Sequence, residues 1–175
     1  MGCDIHWYVE RFTTDPENET TPTSKVNKRE NRVNELLGET SEPRWISADT
    51  WEAEDYGDGS NIHWSNYPNA LYSGRNYSLF EKLANVRSSY GEGNAIAEPR
   101  GVPDDASDAY LYIVEQWKGD GHSHSYYGHS HSYFKLTELL EHDWSDFDEF
   151  RETLERMKNL DENTDNVRAV FFFDN

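Results

Sequence analysis

The sequence predicts a single α+β domain over residues 1–175. A small mixed sheet contains the N-terminal and C-terminal strands and packs against three to four short helices. Residues 2–12 alternate between apolar and polar side chains, as a half-buried strand does. The chain closes with a β-branched and aromatic run, residues 167–175, which is typical of a strand buried on both faces. A terminal strand this apolar must be paired, and the first strand is its expected neighbour.

The first strand presents two different faces. Its apolar side chains belong to Cys3, Ile5, Trp7 and Val9. The opposite face carries Asp4, His6, Tyr8 and Glu10. Residues 13–43 then contain few apolar side chains, which predicts a long loop or a partly disordered insertion. Residues 44–73 hold many aromatic residues without a periodicity that assigns regular structure.

Capping residues and apolar spacing predict the helices. The predicted segments cover residues 78–86, 104–117, 137–142 and 145–157. Ser78 with Glu81 three residues later forms a capping-box pattern, and Ser145 is the expected cap of the last helix. Residues 110–114 would also suit a strand, so the second segment keeps both interpretations.

The charge of the chain excludes two classes of partner. Its 34 Asp and Glu residues against 16 Lys and Arg give a net charge of −18. That charge opposes general binding to a nucleic-acid backbone and to an anionic membrane surface. An acidic surface is also typical of proteins that stay soluble in concentrated salt. A halophilic host is therefore one hypothesis, and an ordinary acidic cytoplasmic protein is the other.

The expected location is the cytoplasm. No apolar run approaches the length of a membrane span, and the N-terminus lacks the basic and apolar pattern of an export signal. The single cysteine, Cys3, allows no internal disulfide and suits a reducing compartment. We interpret it as a small buried strand residue rather than a nucleophile.

Asp4 and His6 are the first candidate metal ligands. They lie two residues apart in a predicted strand, so their side chains project from one face with Cα atoms about 6.5–7 Å apart. A carboxylate oxygen and a neutral imidazole nitrogen at this spacing suit zinc, manganese or iron. The competing interpretation is a polar strand face that forms local hydrogen bonds only.

A tandem duplication supplies further histidines. The sequence GHSHSYY, residues 121–127, is followed at once by GHSHSYF, residues 128–134. The two copies contain His122, His124, His129 and His131. In an extended segment each His-x-His pair points both imidazoles to one side. Asp120 is a further candidate ligand, or a partner that orients one imidazole. The alternative is a recent duplication of which only one copy functions.

Two arginines are candidate anion-binding residues. Arg75 lies in GRNY and Arg100 in PRGVPDD, and both segments are punctuated by Gly or Pro. A guanidinium there could bind a phosphate or carboxylate through two parallel hydrogen bonds. The alternative is that each arginine pairs with a nearby carboxylate. The sequence contains neither a phosphate-binding glycine loop with Lys-Ser/Thr nor a Gly-x-Ser-x-Gly nucleophile turn.

Five motifs in order carry a resemblance to a known family. They are MGCDIH, RNYSLFEKLANVR, PRGVPDD, GDGHSHSYFKLTEL read across the duplication, and the closing VRAVFFFDN. Together they resemble a family of small uncharacterised proteins encoded by tailed phages, prophages and related archaeal viruses. The resemblance covers both chain ends and roughly residues 74–140. It implies a virus-encoded protein, located in the cytoplasm of a prokaryotic host or associated with the virus particle, and does not imply an activity.

The resembling motifs single out a set of polar positions. These are Asp4, His6, Arg75, Asn76, Arg100, Asp104, Asp120, His122, Ser123 and Asp174. Asn76 and Asp104 thereby join the two arginines as candidate substrate-binding residues. Asp174 ends the last strand, and its carboxylate joins Asp4 and His6 if that strand lies beside the first. The duplication leaves open which histidine pair occupies the family position.

These residues predict a divalent-metal-dependent hydrolase that acts on a small phosphorylated or nucleotide-like substrate. The expected catalytic residues are Asp4, His6 and Asp120. The expected metal ligands are Asp4, His6, His122, His124, His129, His131 and Asp174. Two other functions stay open: a non-catalytic protein that sequesters a nucleotide, and a structural or accessory protein associated with the virus particle.

Overall fold

The computed structural model describes residues 2–14, 43–55, 62–67, 69–88, 95–116 and 127–174. Its main sheet contains β1 (Asp4–Thr13), β2 (Arg44–Ser47), β5 (His129–Lys135) and β6 (Val167–Asp174) in the order β2-β1-β6-β5. The strands β3 (Glu52–Asp55) and β4 (Ile62–Ser65) form a separate pair. The helices are α1 (Tyr77–Ala84), α2 (Asp108–Gln116), α3 (Leu136–Leu140) and α4 (Asp148–Lys158). None of these described helices is long and apolar enough to cross a membrane.

The first and last strands lie side by side at the centre of the main sheet. They pair antiparallel from Asp4 opposite Asp174 to Arg11 opposite Val167, which confirms the predicted pairing and the α+β class. The three described pairings of this sheet are all antiparallel, so it is not the mixed sheet that we expected. Alternation of side chains reports which face is buried, but it carries no information about strand direction.

Apolar side chains cover both faces of the main sheet. On one face, the predicted apolar row of β1 packs with Phe171 and Phe173 against α1, α3 and α4. On the other face, Tyr8 packs with Val170 and Phe172 against α2. The last strand is therefore buried on both sides, as its composition predicts. Asp4, His6 and Asp174 are the polar residues at the end of this second face, and they are only partly buried.

Several local expectations differ from the structure. The cap of α1 is Asn76, not Ser78, because the Asn76 side chain accepts a hydrogen bond from the Leu79 N–H at 3.1 Å. Ser145 does not cap α4, which begins three residues later. Residues 108–116 are helical, which resolves the choice between helix and strand. Three short strands lie within residues 44–73, where we assigned none, and most of the predicted insertion lies outside the described residues.

Candidate functional site

Five polar residues meet where β1 begins and β6 ends, and we call them the terminal cluster. Its members are Asp4, His6, Arg75, Tyr127 and Asp174. The Nε2 of His6 lies 3.0 Å from Oδ2 of Asp174, and the Tyr127 hydroxyl donates to the same oxygen at 3.4 Å. The Asp4 N–H donates to Oδ1 of Asp174 at 3.3 Å. The register explains this convergence, because Asp4 lies opposite Asp174 and His6 follows two residues later on the same face.

Asp174 is held in its ionised form. Partial burial favours the neutral acid, but the hydrogen bond and charge of His6 outweigh that effect, with the Asp4 N–H and the Tyr127 hydroxyl adding to it. The pKa of Asp174 therefore lies below its usual value. The His6 and Asp174 side chains are 34% and 29% exposed, so small molecules in solution can reach the pair. An ionised Asp174 orients His6 so that Nε2 carries the hydrogen.

The plane of the His6 ring is fixed by packing. It stacks on the Phe172 ring with 4.6 Å between centroids and 10° between planes. The described residues form no hydrogen bond to His6 Nδ1. With Nε2 donating to Asp174, Nδ1 is left as the basic nitrogen of the imidazole. The pair has the arrangement that a general base needs.

Arg75 holds Asp4 by two hydrogen bonds. Its Nε and a terminal nitrogen each lie 2.5 Å from a carboxylate oxygen of Asp4. The hydrogen bonds and the charge of Asp4 raise the pKa of Arg75 above its ordinary value. In this arrangement both oxygens of Asp4 are engaged by the guanidinium. The structure therefore assigns Asp4 to an ion pair and gives no direct support to its predicted roles as catalytic residue and metal ligand.

His129 and His131 do not point to one side of their strand, as the His-x-His spacing predicted. The pairing of β5 with β6 shifts between His129 and Ser132, and Ser130 has a φ of 51°. As a result His129 stacks on Phe173, whereas His131 lies tilted against Phe172. Those two phenylalanine rings belong to opposite faces of β6. The bulge thus separates the two imidazoles.

The ring of Phe172 separates His131 from His6. It stacks with His6 from β1 on one side and contacts His131 from β5 on the other, at 5.1 Å between centroids. The Tyr110 hydroxyl lies 3.1 Å from His131 Nδ1. Burial lowers the pKa of His131 to about 4, so this imidazole is neutral at physiological pH. His6 and His131 cannot share one metal ion in this arrangement.

The described residues therefore bring together fewer candidate metal ligands than the sequence predicted. Within the described ranges, no group of three or more His, Cys, Asp or Glu side chains is arranged to hold a metal ion. His6 Nε2 and Asp174 Oδ2 form one pair of donors, and their 3.0 Å separation is close to that between two ligands of a zinc ion, about 3.3 Å. Asp120, His122 and His124 lie outside the described residues.

Three predicted substrate-binding residues have other positions. The side chain of Asn76 caps α1. Arg100 donates to both carboxylate oxygens of Glu138, at 3.0 and 2.7 Å, and its guanidinium lies 4.4 Å from the centre of the Phe134 ring. Asp104 is exposed in the turn that precedes α2. Of the four residues predicted to bind substrate, Arg75 alone belongs to the terminal cluster.

Tyr127 is the member of the terminal cluster that sequence reasoning missed. Its ring stands edge-on to Phe172, and its hydroxyl reaches Asp174. The next residue, Gly128, has a φ of 82°, and any Cβ there would collide with the Phe172 ring. The signal was present in the duplication, because its two copies differ only in Tyr127 against Phe134. The hydroxyl that distinguishes the copies is the group that contacts Asp174.

A cleft of about 220 Å³ lies elsewhere in the described structure, at the far end of β1. Phe12, Trp45 and Asp108 line it, together with the turn before α2. It contains none of the predicted site residues. The chemistry-bearing side chains therefore gather at the terminal cluster and not in the cleft.

Comparison with known proteins gives no family assignment. No protein-family model matches the chain, and neither the curated proteins nor the solved structures yielded a match. The resemblance to virus-encoded proteins, and with it a role in the virus particle, therefore stays a prediction.

Proposed function

We propose that the protein is a hydrolase that acts on a small phosphorylated or nucleotide-like substrate at the terminal cluster. The observation that carries the proposal is the accessible hydrogen-bonded pair of His6 and Asp174 next to a guanidinium. An imidazole held by a carboxylate can take a proton from water, and a guanidinium can bind the anionic group that water attacks. Few positive charges are available in a chain of net charge −18, so the position of Arg75 matters.

Each member of the cluster has a distinct role in this proposal. His6 accepts the proton of the attacking water at Nδ1 while the water oxygen bonds to phosphorus. The bond from phosphorus to the leaving oxygen breaks, and that oxygen takes a proton from solvent water. Asp174 sets the tautomer of His6 and stabilises the imidazolium that forms, while Tyr127 orients Asp174. Arg75 binds the negatively charged oxygens of the substrate and stabilises charge that develops on them.

A divalent cation remains a proposed cofactor at the same pair. His6 and Asp174 would hold zinc, manganese or iron, and such an ion lowers the pKa of a bound water. The described residues supply two donors, which is fewer than the three protein ligands usual in a catalytic zinc site. The proton transfer assigned to His6 does not require the ion.

The direct test is hydrolysis by untagged protein. We would measure turnover of a panel of phosphomonoesters, phosphodiesters and nucleoside phosphates, after chelation and with added zinc or manganese. His6→Ala and Asp174→Asn should abolish turnover, whereas His142→Ala should retain it, because His142 is an exposed histidine outside the cluster. Turnover that survives both cluster substitutions, or no turnover of any substrate, would contradict the proposal.

Nucleotide sequestration is the second candidate, and one observation favours it. Tyr77 is 41% exposed, and its hydroxyl accepts a hydrogen bond at 3.4 Å from the N–H of Cys3, the residue before Asp4. An aromatic surface is therefore held close to the residue that pairs with Arg75. Tyr77 and Arg75 together could stack a base while binding a phosphate. Native mass spectrometry of freshly isolated protein separates the two functions. An intact bound nucleotide that is not converted on incubation favours sequestration, and its conversion favours hydrolysis.

A further inference from the structure

We propose that Asp4 determines the specificity of the terminal cluster by occupying the position of the substrate's phosphoryl group on Arg75. A dianionic phosphate displaces the Asp4 carboxylate, and a monoanionic carboxylate does not. This inference rests on the proposed function, because it assigns the substrate's anionic group to Arg75. It also gives Asp4 a role other than that of metal ligand.

Asp4 occupies the edge of the Arg75 guanidinium that an anionic ligand would bind. Asp4 occupies the Nε and Nη2 edge with both of its oxygens, which is the planar two-oxygen contact that a phosphate makes with arginine. The other terminal nitrogen, Nη1, is near Gly2, because a Cβ placed on that glycine would lie 3.0 Å from it. A phosphoryl group that contacts Nε and Nη2 with two oxygens therefore takes the place of Asp4.

The ion pair can open at low cost. The Arg75 and Asp4 side chains are 54% and 50% exposed, and ion pairs this accessible contribute little to stability. Asp4 is also held independently of Arg75, since its backbone N–H donates to Asp174 and its strand is paired along β6. Its side chain can rotate into water while the strand stays in place.

The local charges give the selectivity. Arg75 faces the negative charges of Asp4 and Asp174. If a monoanionic carboxylate replaced Asp4 on Arg75, the new ion pair would be no stronger than the one it displaced. Asp4 would also lose its own partner. A phosphate dianion brings twice the charge to the same donors, so it can outcompete the intramolecular carboxylate. Asp4 therefore selects for phosphate over carboxylate ligands.

The test is a titration with inorganic phosphate and with acetate, followed by NMR at the Arg75 Nε–H at matched ionic strength. Wild-type protein should bind phosphate and not acetate. Asp4→Asn should bind phosphate roughly fivefold more tightly and should gain acetate binding, because the competing charge is gone. Arg75→Gln should lose binding of both, as judged by the backbone signals of the cluster.

A matched control removes another exposed carboxylate that pairs with an arginine. Asp148 pairs with Arg151 on α4, so Asp148→Asn lowers the net negative charge by the same amount. It should leave phosphate binding at the wild-type level. Equal phosphate affinity in wild type and Asp4→Asn, or an equal gain in Asp148→Asn, would overturn the inference.

The outcome is distinguishable from failure of the proposed function. If no substrate is hydrolysed but Asp4→Asn gains affinity as expected, the anion site stands and the hydrolase proposal falls. If hydrolysis depends on His6 but Asp4→Asn binds phosphate no better than wild type, the specificity role of Asp4 falls alone.

Discussion

Replacing Asp49 by Asn should stabilise the folded protein at neutral pH. Asp49 is only 4% exposed, and its Oδ2 accepts a hydrogen bond from the Val9 N–H at 2.9 Å. Burial raises the pKa of its carboxyl from 3.8 to about 7, and the nearby charge of Glu10 acts in the same direction. Hydrogen bonds from Val9 and Asn66 oppose that rise without cancelling it.

The magnitude follows from the two pKa values of Asp49. Because the folded state holds its proton up to a higher pH than the unfolded state, stability falls as pH rises between about 4 and about 7. A rise from 3.8 to about 7 corresponds to a loss of about 4 kcal/mol across that window. Asn keeps an oxygen for the Val9 N–H and never ionises. The variant should match wild type near pH 4 and exceed it by up to about 4 kcal/mol above pH 7.

Urea unfolding followed by tryptophan fluorescence measures this difference across the same pH range. Asp49→Ala is the informative control, because it also removes the charge but leaves the Val9 N–H without its acceptor. It should be less stable than Asp49→Asn at every pH. If Asp49→Asn and wild type unfold with the same free energy at every pH, ionisation of the buried Asp49 does not destabilise the folded protein.

Three further predictions concern stability. Arg168→Met should lower the free energy of unfolding in urea by about 3–5 kcal/mol, because the buried Glu10 loses the guanidinium that lies 2.5 Å away. Adding Glu10→Gln to this variant should recover part of the loss. Asn76→Ala should cost about 1 kcal/mol, since it removes the cap that accepts from Leu79, while Ser78→Ala should be nearly neutral. The midpoint of thermal unfolding should rise with salt concentration, because salt screens the repulsion within a chain of charge −18. A midpoint in dilute buffer equal to that in concentrated salt would contradict the halophilic hypothesis.

The end strands were predictable because their patterns are strong and local. Alternation over residues 2–12 and the apolar run at the C-terminus identify β1 and β6, and the need to pair a buried strand makes them neighbours. The short strands β2 to β4 were not predictable, because each covers four residues and their aromatic side chains follow no period. Such strands form through tertiary contacts, as when Trp45 pairs opposite Phe12.

The candidate site was predictable to the level of one residue pair. His6 and Asp174 follow from the pairing of the end strands, since the register alone brings them to one face. The partner of Asp4 did not follow, because an arginine 71 positions away reaches it only through the tertiary fold. The divergence of His129 and His131 did not follow either. A bulge at Ser130 reverses the direction of one side chain, and the repeated sequence does not indicate where a strand bulges.

Asp49 and His131 give opposite pH dependences, and a double variant separates them. Burial lowers the pKa of His131 from 6.5 to about 4, and the charge of His129 acts the same way while a hydrogen bond to Tyr127 opposes it. Because the unfolded state binds this proton more readily, the stability that His131 contributes is lost as pH falls from about 6.5 to about 4. Over the same range, ionisation of Asp49 removes stability as pH rises.

Between about pH 4 and about pH 6.5, Asp49 and His131 therefore change the stability with pH in opposite directions, and the two changes cancel in the wild-type protein. Asp49→Asn should show stability that increases with pH in that range, since the His131 contribution is then unopposed. His131→Gln, which keeps a polar partner for the Tyr110 hydroxyl, should show stability that decreases with pH. Combining the substitutions should restore a dependence as flat as that of wild type. Because the two sites lie on different parts of the sheet, their contributions should add, and a double variant as steep as either single one would show that the two protons are coupled.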